Sequence, residues 1–451
     1  MSITTTGSEV RACGLCGSTA LHHVAYGMPS MELVDEAERR PDLRLGGCCI
    51  SPSDWTTECL TCGQRAYFDS DSSGEWTVAT RPQTAGLVTR YAEVTRGRVG
   101  TEAAAAVSYA GLWLLLAHLS PLAADKHRDA LAAAIGISCA EAAALADELL
   151  TAPHLTLATA LGAWSRVALP AELAVALEGL PDQAGLDRWA AEHTRGLIQS
   201  FPLTISEETL LVFATALVLE PRWTEELDVD DDGMLVLDGG LQAVVDTQAA
   251  GRIAVAKPFS SDGVDVISVI AAPDVPPGDV WRALDEVVDA LNRGALWHGE
   301  HPGGQPVDGH AWKVRTVTET FIAWDAPANF DVLWRSHLPE WSGNTESTLT
   351  RAPGVGEIIE SLAEAGPELA DAAFECVQTA TARYDESGFT AAAITALAAA
   401  TGAPEFVERT IRRVDLTFDR PHAVIAIARG GPWEGVPVFN AWVTPHQALP
   451  R

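Results

Sequence analysis

Residues 387–403 contain no charge and no proline: the chain reads Ser387-Gly388-Phe389-Thr390-Ala391-Ala392-Ala393-Ile394-Thr395 and continues in small residues to Ala403. Two structures suit such a segment. Alanine is the best helix former, so the run fits a surface helix with its apolar stripe on the body. It equally fits a central β-strand, where a proline would remove a ladder bond. Alternation along a strand puts Phe389, Ala391, Ala393, Thr395, Leu397 and Ala399 on one face and Thr390, Ala392, Ile394, Ala396 and Ala398 on the other. The rest of the chain decides between them.

Trp189-Ala190-Ala191-Glu192-His193-Thr194-Arg195-Gly196-Leu197-Ile198 is followed by the segment 205–217, Ile205-Ser206-Glu207-Glu208-Thr209 and then mostly apolar residues, and by Leu219-Glu220-Pro221-Arg222-Trp223. Near the carboxyl end, Phe418-Asp419-Arg420-Pro421-His422 leads into Val424-Ile425-Ala426-Ile427. Gly430-Gly431-Pro432 breaks the chain, and Phe439-Asn440-Ala441-Trp442-Val443-Thr444-Pro445 closes it. In order and spacing these segments resemble the serpin family, including its W-x-x-x-x-T-x-G-x-I helix exit, its central strand ending in Trp, its F-x-x-P strand and its closing F-x-G-x-V-x-x-P. Asp385-Glu386-Ser387-Gly388 and the run after it resemble the family's reactive-loop hinge. The alanine-rich stretch 102–134 is similar to the buried helix pair. Strands are expected at Val264–Ile270, at 314–321 and at 370–383, the last leading into the loop. The resemblance spans most of the chain after about position 85 and implies a serpin domain of bacterial type: an α+β fold with a large mixed β-sheet, further sheets and a shell of helices.

What the resemblance implies is an inhibitor of serine proteases, not an enzyme. The target cleaves an exposed loop, expected at about 386–413, and the freed hinge then enters the main sheet. The hinge residues are Glu386, Gly388, Phe389, Thr390, Ala391, Ala392 and Ala393; Phe389 stands where the family prefers Thr or Ser. Thr401, Gly402 and Ala403 lie at the usual hinge-to-bond distance and suit an elastase-like or subtilisin-like protease, while Arg409, Arg412 and Arg413 offer trypsin-like sites. Thr215 takes the place of a buried Asn where the sheet opens, and Trp223 lies where the loop first enters. The alternative is a non-inhibitory serpin scaffold that binds a protein partner. No H-E-x-x-H, G-x-S-x-G, P-loop or G-x-G-x-x-G pattern has suitable flanks.

The first 75 or so residues differ in kind. Cys13-Gly14-Leu15-Cys16-Gly17 and Cys59-Leu60-Thr61-Cys62-Gly63 are two C-x-x-C-G knuckles. Each spacing lets two thiolates reach one ion, and the glycine permits the tight turn that aims N–H groups at sulfur. Together Cys13, Cys16, Cys59 and Cys62 make a four-cysteine site that resembles a zinc ribbon, with zinc in a structural role. Cys48 and Cys49 are additional; Cys139 and Cys376 are expected buried as small apolar residues. The division is therefore a zinc-ribbon-like unit over 1–75, a linker over 76–84 and the serpin-like domain over 85–451. Met1 to Val10 is polar and no apolar run approaches the roughly 20 residues of a membrane span, so a cytoplasmic protein without membrane contact is expected, its cysteines thiolates and not cystines. Zinc ribbons often bind nucleic acid, but a formal net charge of −31 repels a phosphate backbone and argues against an adaptor of that kind. Asp228-Val229-Asp230-Asp231-Asp232-Gly233 starts like a calcium loop but has Gly239 where the bidentate Glu belongs, and reads as an acidic turn.

Overall fold

The computed structural model describes strands Leu21–Ala25 (β1), Leu43–Leu45 (β2), Trp55–Cys59 (β3), Arg65–Tyr67 (β4) and Val78–Ala79 (β5), and residues 83–451 apart from 101–102, 104, 153, 155, 168–176, 261–262, 293–295, 297–298, 300, 302–305, 323–326, 328–330, 371, 373, 389–405 and 445–451. β1 to β5 form one sheet in the order β2-β1-β3-β4-β5. Glu58 pairs with Arg65, so the chain turns as a hairpin between β3 and β4. β1 is antiparallel to β3 with Leu21 opposite Cys59, so the chain enters β1 at the end of the sheet where β3 leaves it.

Helices Gln83–Val99 (α1), Tyr109–Leu119 (α2), Asp125–Ile135 (α3) and Cys139–Thr151 (α4) follow. α2 is apolar nearly all round, and a helix of that kind belongs inside. Nine of its eleven residues are buried, and Ser108 caps it by accepting the Gly111 N–H at 3.1 Å. Next come strands Leu157–Ser165 (β6) and Glu178–Gly179 (β7), helix Gln183–His193 (α5) and strand Leu211–Leu219 (β8). The end of α5 explains the T-x-G-x-I signature. The Thr194 hydroxyl donates to the Ala190 carbonyl at 2.7 Å and accepts the Ile198 N–H at 2.9 Å, while Gly196 takes the left-handed turn at φ 82°.

The remaining elements are strands Asp228–Val229 (β9), Met234–Leu237 (β10), Leu241–Thr247 (β11), Gly251–Lys257 (β12) and Val264–Ile270 (β13), helix Pro277–Asn292 (α6), strands Trp312–Ile322 (β14), Val332–Pro339 (β15) and Trp341–Thr348 (β16), helices Val355–Glu364 (α7) and Pro367–Ala370 (α8), and strands Val377–Tyr384 (β17), Phe406–Thr417 (β18), His422–Ala428 (β19) and Pro437–Val443 (β20). The strand expected over 370–383 thus starts later, at Val377, behind the helical turn α8. The acidic turn joins β9 to β10, where the Asp230 carboxylate accepts the N–H groups of Asp232 and Met234.

One five-stranded sheet has the order β11-β12-β13-β19-β20. β19 and β20 are buried along their whole length because α2 covers one side and α6 helps cover the other. A second sheet runs β14-β18-β15-β10-β9. Two smaller sheets, β16-β17 and β7-β6-β8, share no ladder bond, yet both stand over α2. α5 packs on the other face of β6 and β8, where Trp164 meets Trp189 edge-on at 5.1 Å.

Candidate functional site

β8 and β17 face each other across a cavity of about 190 Å³, with α2 behind it, α5 in front and α7 towards one end. Because it opens along strand edges, consecutive residues line it, 211–217 from β8 and 377–380 from β17, over Leu112, Leu115 and Leu116 of α2. The walls are polar at one level. There the Thr215 hydroxyl donates to the Gly111 carbonyl at 3.0 Å. Opposite, the Gln378 amide accepts the Ser108 N–H and donates to the Ser108 carbonyl, each at 2.8 Å. The Ser108 hydroxyl donates to the Val438 carbonyl at 2.7 Å. Each half-sheet is therefore pinned to the first turn of α2 and not to the other half.

The two halves meet at the end of the cleft beyond Leu219 and Tyr384. The Asp385 carboxylate accepts the N–H groups of Ser387 and Gly388, and the Asp385 N–H donates to the Gly388 carbonyl, closing a tight reversal. Gly388 then pairs antiparallel with Arg222. A Cβ there would lie 2.5 Å from the Pro221 carbonyl oxygen, so only glycine fits. Trp223 clasps the turn: its indole N–H donates to the Asp385 carbonyl at 2.9 Å and its backbone N–H to the Ser387 carbonyl at 3.2 Å. The Leu227 N–H donates to the Glu386 carbonyl at 2.8 Å. Beneath the turn Tyr384 lies between Trp223 and Trp341, with ring centroids 5.0 and 6.3 Å away. Burial raises the Tyr384 phenol above its ordinary range, and its hydroxyl has no hydrogen-bond partner. Burial also pushes the Cys376 thiol in the cavity wall up to about 11, so it stays protonated at neutral pH.

Glu386, Gly388, Trp223 and Thr215 are thus brought to one cleft. Phe389, Thr390, Ala391, Ala392 and Ala393, and the small-residue cut site Thr401, Gly402 and Ala403, lie outside the described residues. Arg409, Arg412 and Arg413 correct the loop boundary: all three belong to β18, opposite Glu319, Thr316 and Arg315 of β14. Arg413 is buried and paired with Glu319, a contact invisible along the sequence because its partner is 94 positions away. A protease binds its substrate as a free extended chain, whereas Arg412 and Arg413 are paired with strands on both edges and Arg409 with β14 on one.

The sequence did not point to Gln378 or Ser108. The available signal was a lone amide at an inward position of the V-Q-T-A-T-A alternation. Of the four expected zinc ligands, Cys59 ends β3 and Cys13, Cys16 and Cys62 lie outside the described residues. Among the described residues no group of three or more His, Cys, Asp or Glu side chains is placed to hold a metal ion.

No protein-family model matches the sequence, and no curated protein does. Solved structures match. Human glycosylated kallistatin is similar with a TM-score of 0.54 at 14% identity, over 80% of this chain and 96% of its own. Serpin48, a highly specific serpin of the insect Tenebrio molitor, is similar with a TM-score of 0.50 at 14% identity, over 80% of this chain and 97% of its own. Over that span the chain has the serpin fold, with its mixed sheets and helices.

Proposed function

We propose that the chain is a serpin-type protease inhibitor in which a target serine protease cuts the loop between Gly388 and Phe406 and the freed hinge enters the cleft between β8 and β17. One observation carries this reading: among the described residues no strand joins β8 to β17 where one would fit, and the turn Asp385 to Gly388 ends paired antiparallel with Arg222, just beyond β8. Continuing both registers from Gly388 aligns the incoming residues with the walls. Phe389 comes beside Tyr384, Ala391 between Ala382 and Leu219, Ala393 between Ala380 and Leu217, and Thr395 between Gln378 and Thr215. Small residues meet the narrow apolar levels, and a hydroxyl meets the one polar level.

The chemistry is a race. The protease serine attacks the loop carbonyl, the peptide bond breaks, and the new amino terminus leaves with β18 while the hinge side stays esterified to the protease. Insertion must precede hydrolysis of that ester. The driving force is the two ladders an inserted strand completes, on the order of 10 kcal/mol for some ten bonds. A bond near Thr401-Gly402-Ala403 leaves enough chain to fill the cleft and suits an elastase-like or subtilisin-like enzyme. Incubation with a panel of serine proteases tests this: the expected result is an SDS-resistant adduct and a cleaved chain of much higher Tm. A cleaved chain that gains heat stability without an adduct would favour the non-inhibitory scaffold, for which the bulk of Phe389 beside Tyr384 and Trp223 is the physical reason. Cleavage giving neither would make the chain a plain substrate and overturn the inhibitor.

For the amino-terminal unit we propose a structural zinc held by Cys13, Cys16, Cys59 and Cys62. The antiparallel pairing of β1 with β3 supports it, because it places Leu21, five positions after Cys16, opposite Cys59.

A further inference from the structure

β14 is the outermost strand of its sheet. One edge pairs with β18 from Trp312–Leu416 to Ile322–Phe406, and among the described residues no strand pairs with the other edge. Natural edge strands are commonly shielded by shortness, proline, a bulge or charge. β14 is eleven residues long, has no proline and keeps one register throughout. It is rich in threonine and valine, which suit a pleated surface, and Lys313, Arg315, Thr316, Thr318 and Thr320 are exposed. Charge is its one shield, and that charge complements itself.

The direction of each backbone group follows from the neighbouring strands. The Arg412 N–H donates to the Asp331 carbonyl, on the β15 side of β18, and the Thr417 N–H donates to the Ala311 carbonyl, on the β14 side. Odd-numbered residues of β18 therefore bond towards β14, and they stand opposite Arg315, Val317 and Glu319. The even-numbered residues of β14 then aim their N–H and C=O groups away from the sheet. Val314 shows it directly, because its N–H donates to the Asp308 carboxylate at 2.8 Å. Beyond that capped position, Thr316, Thr318 and Thr320 present the open ladder.

Two copies of one strand meet antiparallel about a two-fold axis, with outward residues opposite outward residues. An axis at Thr316 would require the Val314 N–H to leave Asp308 for Thr318 of the second copy. An axis at Thr318 would set Arg315 opposite Phe321 and Glu319 opposite Val317. An axis at Val317 avoids both faults: Thr316 and Thr318 exchange ladder bonds twice, Val314 falls at the margin opposite Thr320, and Arg315 stands opposite Glu319 on both sides of the axis. These odd-numbered pairs take the non-hydrogen-bonded places, where side chains come closest. Within its own molecule Arg315 holds Asp415 through Nε and Nη2, and Glu319 holds Arg413 through Oε2, so Nη1 and Oε1 remain for the second copy.

We propose that the outer edge of β14 is a self-association surface, at which two copies of this chain join antiparallel about an axis at Val317 and continue the sheet from one molecule into the other. The long-range repulsion between two chains of formal net charge −31 is screened over about 8 Å at physiological salt, while the contact pairs of Arg315 with Glu319 persist. The surface lies outside the cleft between β8 and β17, and the insertion reading stands or falls without it.

Sedimentation of the full-length protein at physiological salt, from about 1 to about 200 µM, tests the proposal. The expected result is a reversible dimer with a Kd on the order of 10 µM, as suits a small interface. Thr318→Pro removes an outward N–H and leaves the ladder to β18 intact, so it should weaken the dimer about tenfold or more, both copies losing a bond. Single cysteines read the register independently of what proline does to folding. Val317→Cys lies on the axis, at a separation that a disulfide spans. Thr320→Cys lies six residues from its own copy, about 20 Å. Under mild oxidation the first should give a dimer linked at residue 317, identified by peptide mapping, about ten times faster than the second gives one linked at 320. A wild-type chain that stays monomeric at about 200 µM overturns the proposal. So does a folded Thr318→Pro variant that dimerises as tightly as the wild type. A dimer in which Val317→Cys links no faster than Thr320→Cys also overturns it, since the copies then meet through another surface.

Discussion

His422 is a buried residue whose chemistry reaches the stability of the whole chain. Its ring packs edge-on against Phe418 at 5.2 Å, Nδ1 hydrogen-bonds the Arg420 carbonyl at 2.9 Å, and Nε2 has no partner. Burial lowers its pKa from 6.5 to about 4. The folded protein therefore resists a proton that the unfolded chain takes up readily, and stability present above pH 6.5 is lost as the pH falls towards 4. Acid should cost about 3 kcal/mol over that window at this site. His422→Phe keeps the packing and removes the proton site, so denaturant unfolding of the variant should show a shallower acid slope than the wild type. An unchanged slope would place the acid sensitivity elsewhere. The same scale explains part of what the sequence disclosed. Asp385, Ser387 and Gly388 do their work within four positions of one another: the segment was read from the sequence as a hinge, and the structure makes it a tight reversal.

At the scale of elements, the long-range contacts were not readable. Gln378 binds Ser108 across 270 positions, and no local pattern reports that pairing. The strand at 314–321 was legible from its alternation, but not that it would cover β18, whose residues 406–413 were placed in the exposed loop, with its arginines also open to reading as solvated charges on a returning strand. Those charges are matched across strands by Glu319 and, for the Asp415 carboxylate, by Arg315. Thr215 was expected at the opening position; its hydroxyl partner is a carbonyl of α2 and not the opposite strand. From this follows a prediction for Gln378→Ala. It leaves the Ser108 N–H and carbonyl without their side-chain partner in a buried place, and should lower the stability of the intact protein by about 2–3 kcal/mol. The drop should be smaller in the cut form if Thr395 then supplies a hydroxyl at the same level. Equal losses in the two forms, measured by thermal unfolding, would contradict that alignment.

For the whole molecule, 61 acidic residues against 30 basic ones leave a surplus that the fold accentuates, since Arg96, Arg413, Arg420 and Arg429 are turned inward to carboxylates or carbonyls. The amino-terminal unit is a separate question at this scale. Metal analysis of the purified protein should return about one zinc per chain, and Cys59→Ser should lower it while leaving the unfolding of the serpin-fold body unchanged. Loss of zinc together with collapse of that body would mean the two parts are energetically one.

The gap between β8 and β17 also sets a rule of supply. If the hinge enters the cleft as proposed, the facing edges of β8 and β17, which among the described residues share no ladder bond, will accept any extended, proline-free run of small residues, whichever molecule it belongs to. The protein's own segment has precedence because its tether at Gly388 keeps it at an effective concentration on the order of millimolar. Dilution thus guards fidelity: crowded together and warmed, neighbouring copies become competitors for one another's empty place.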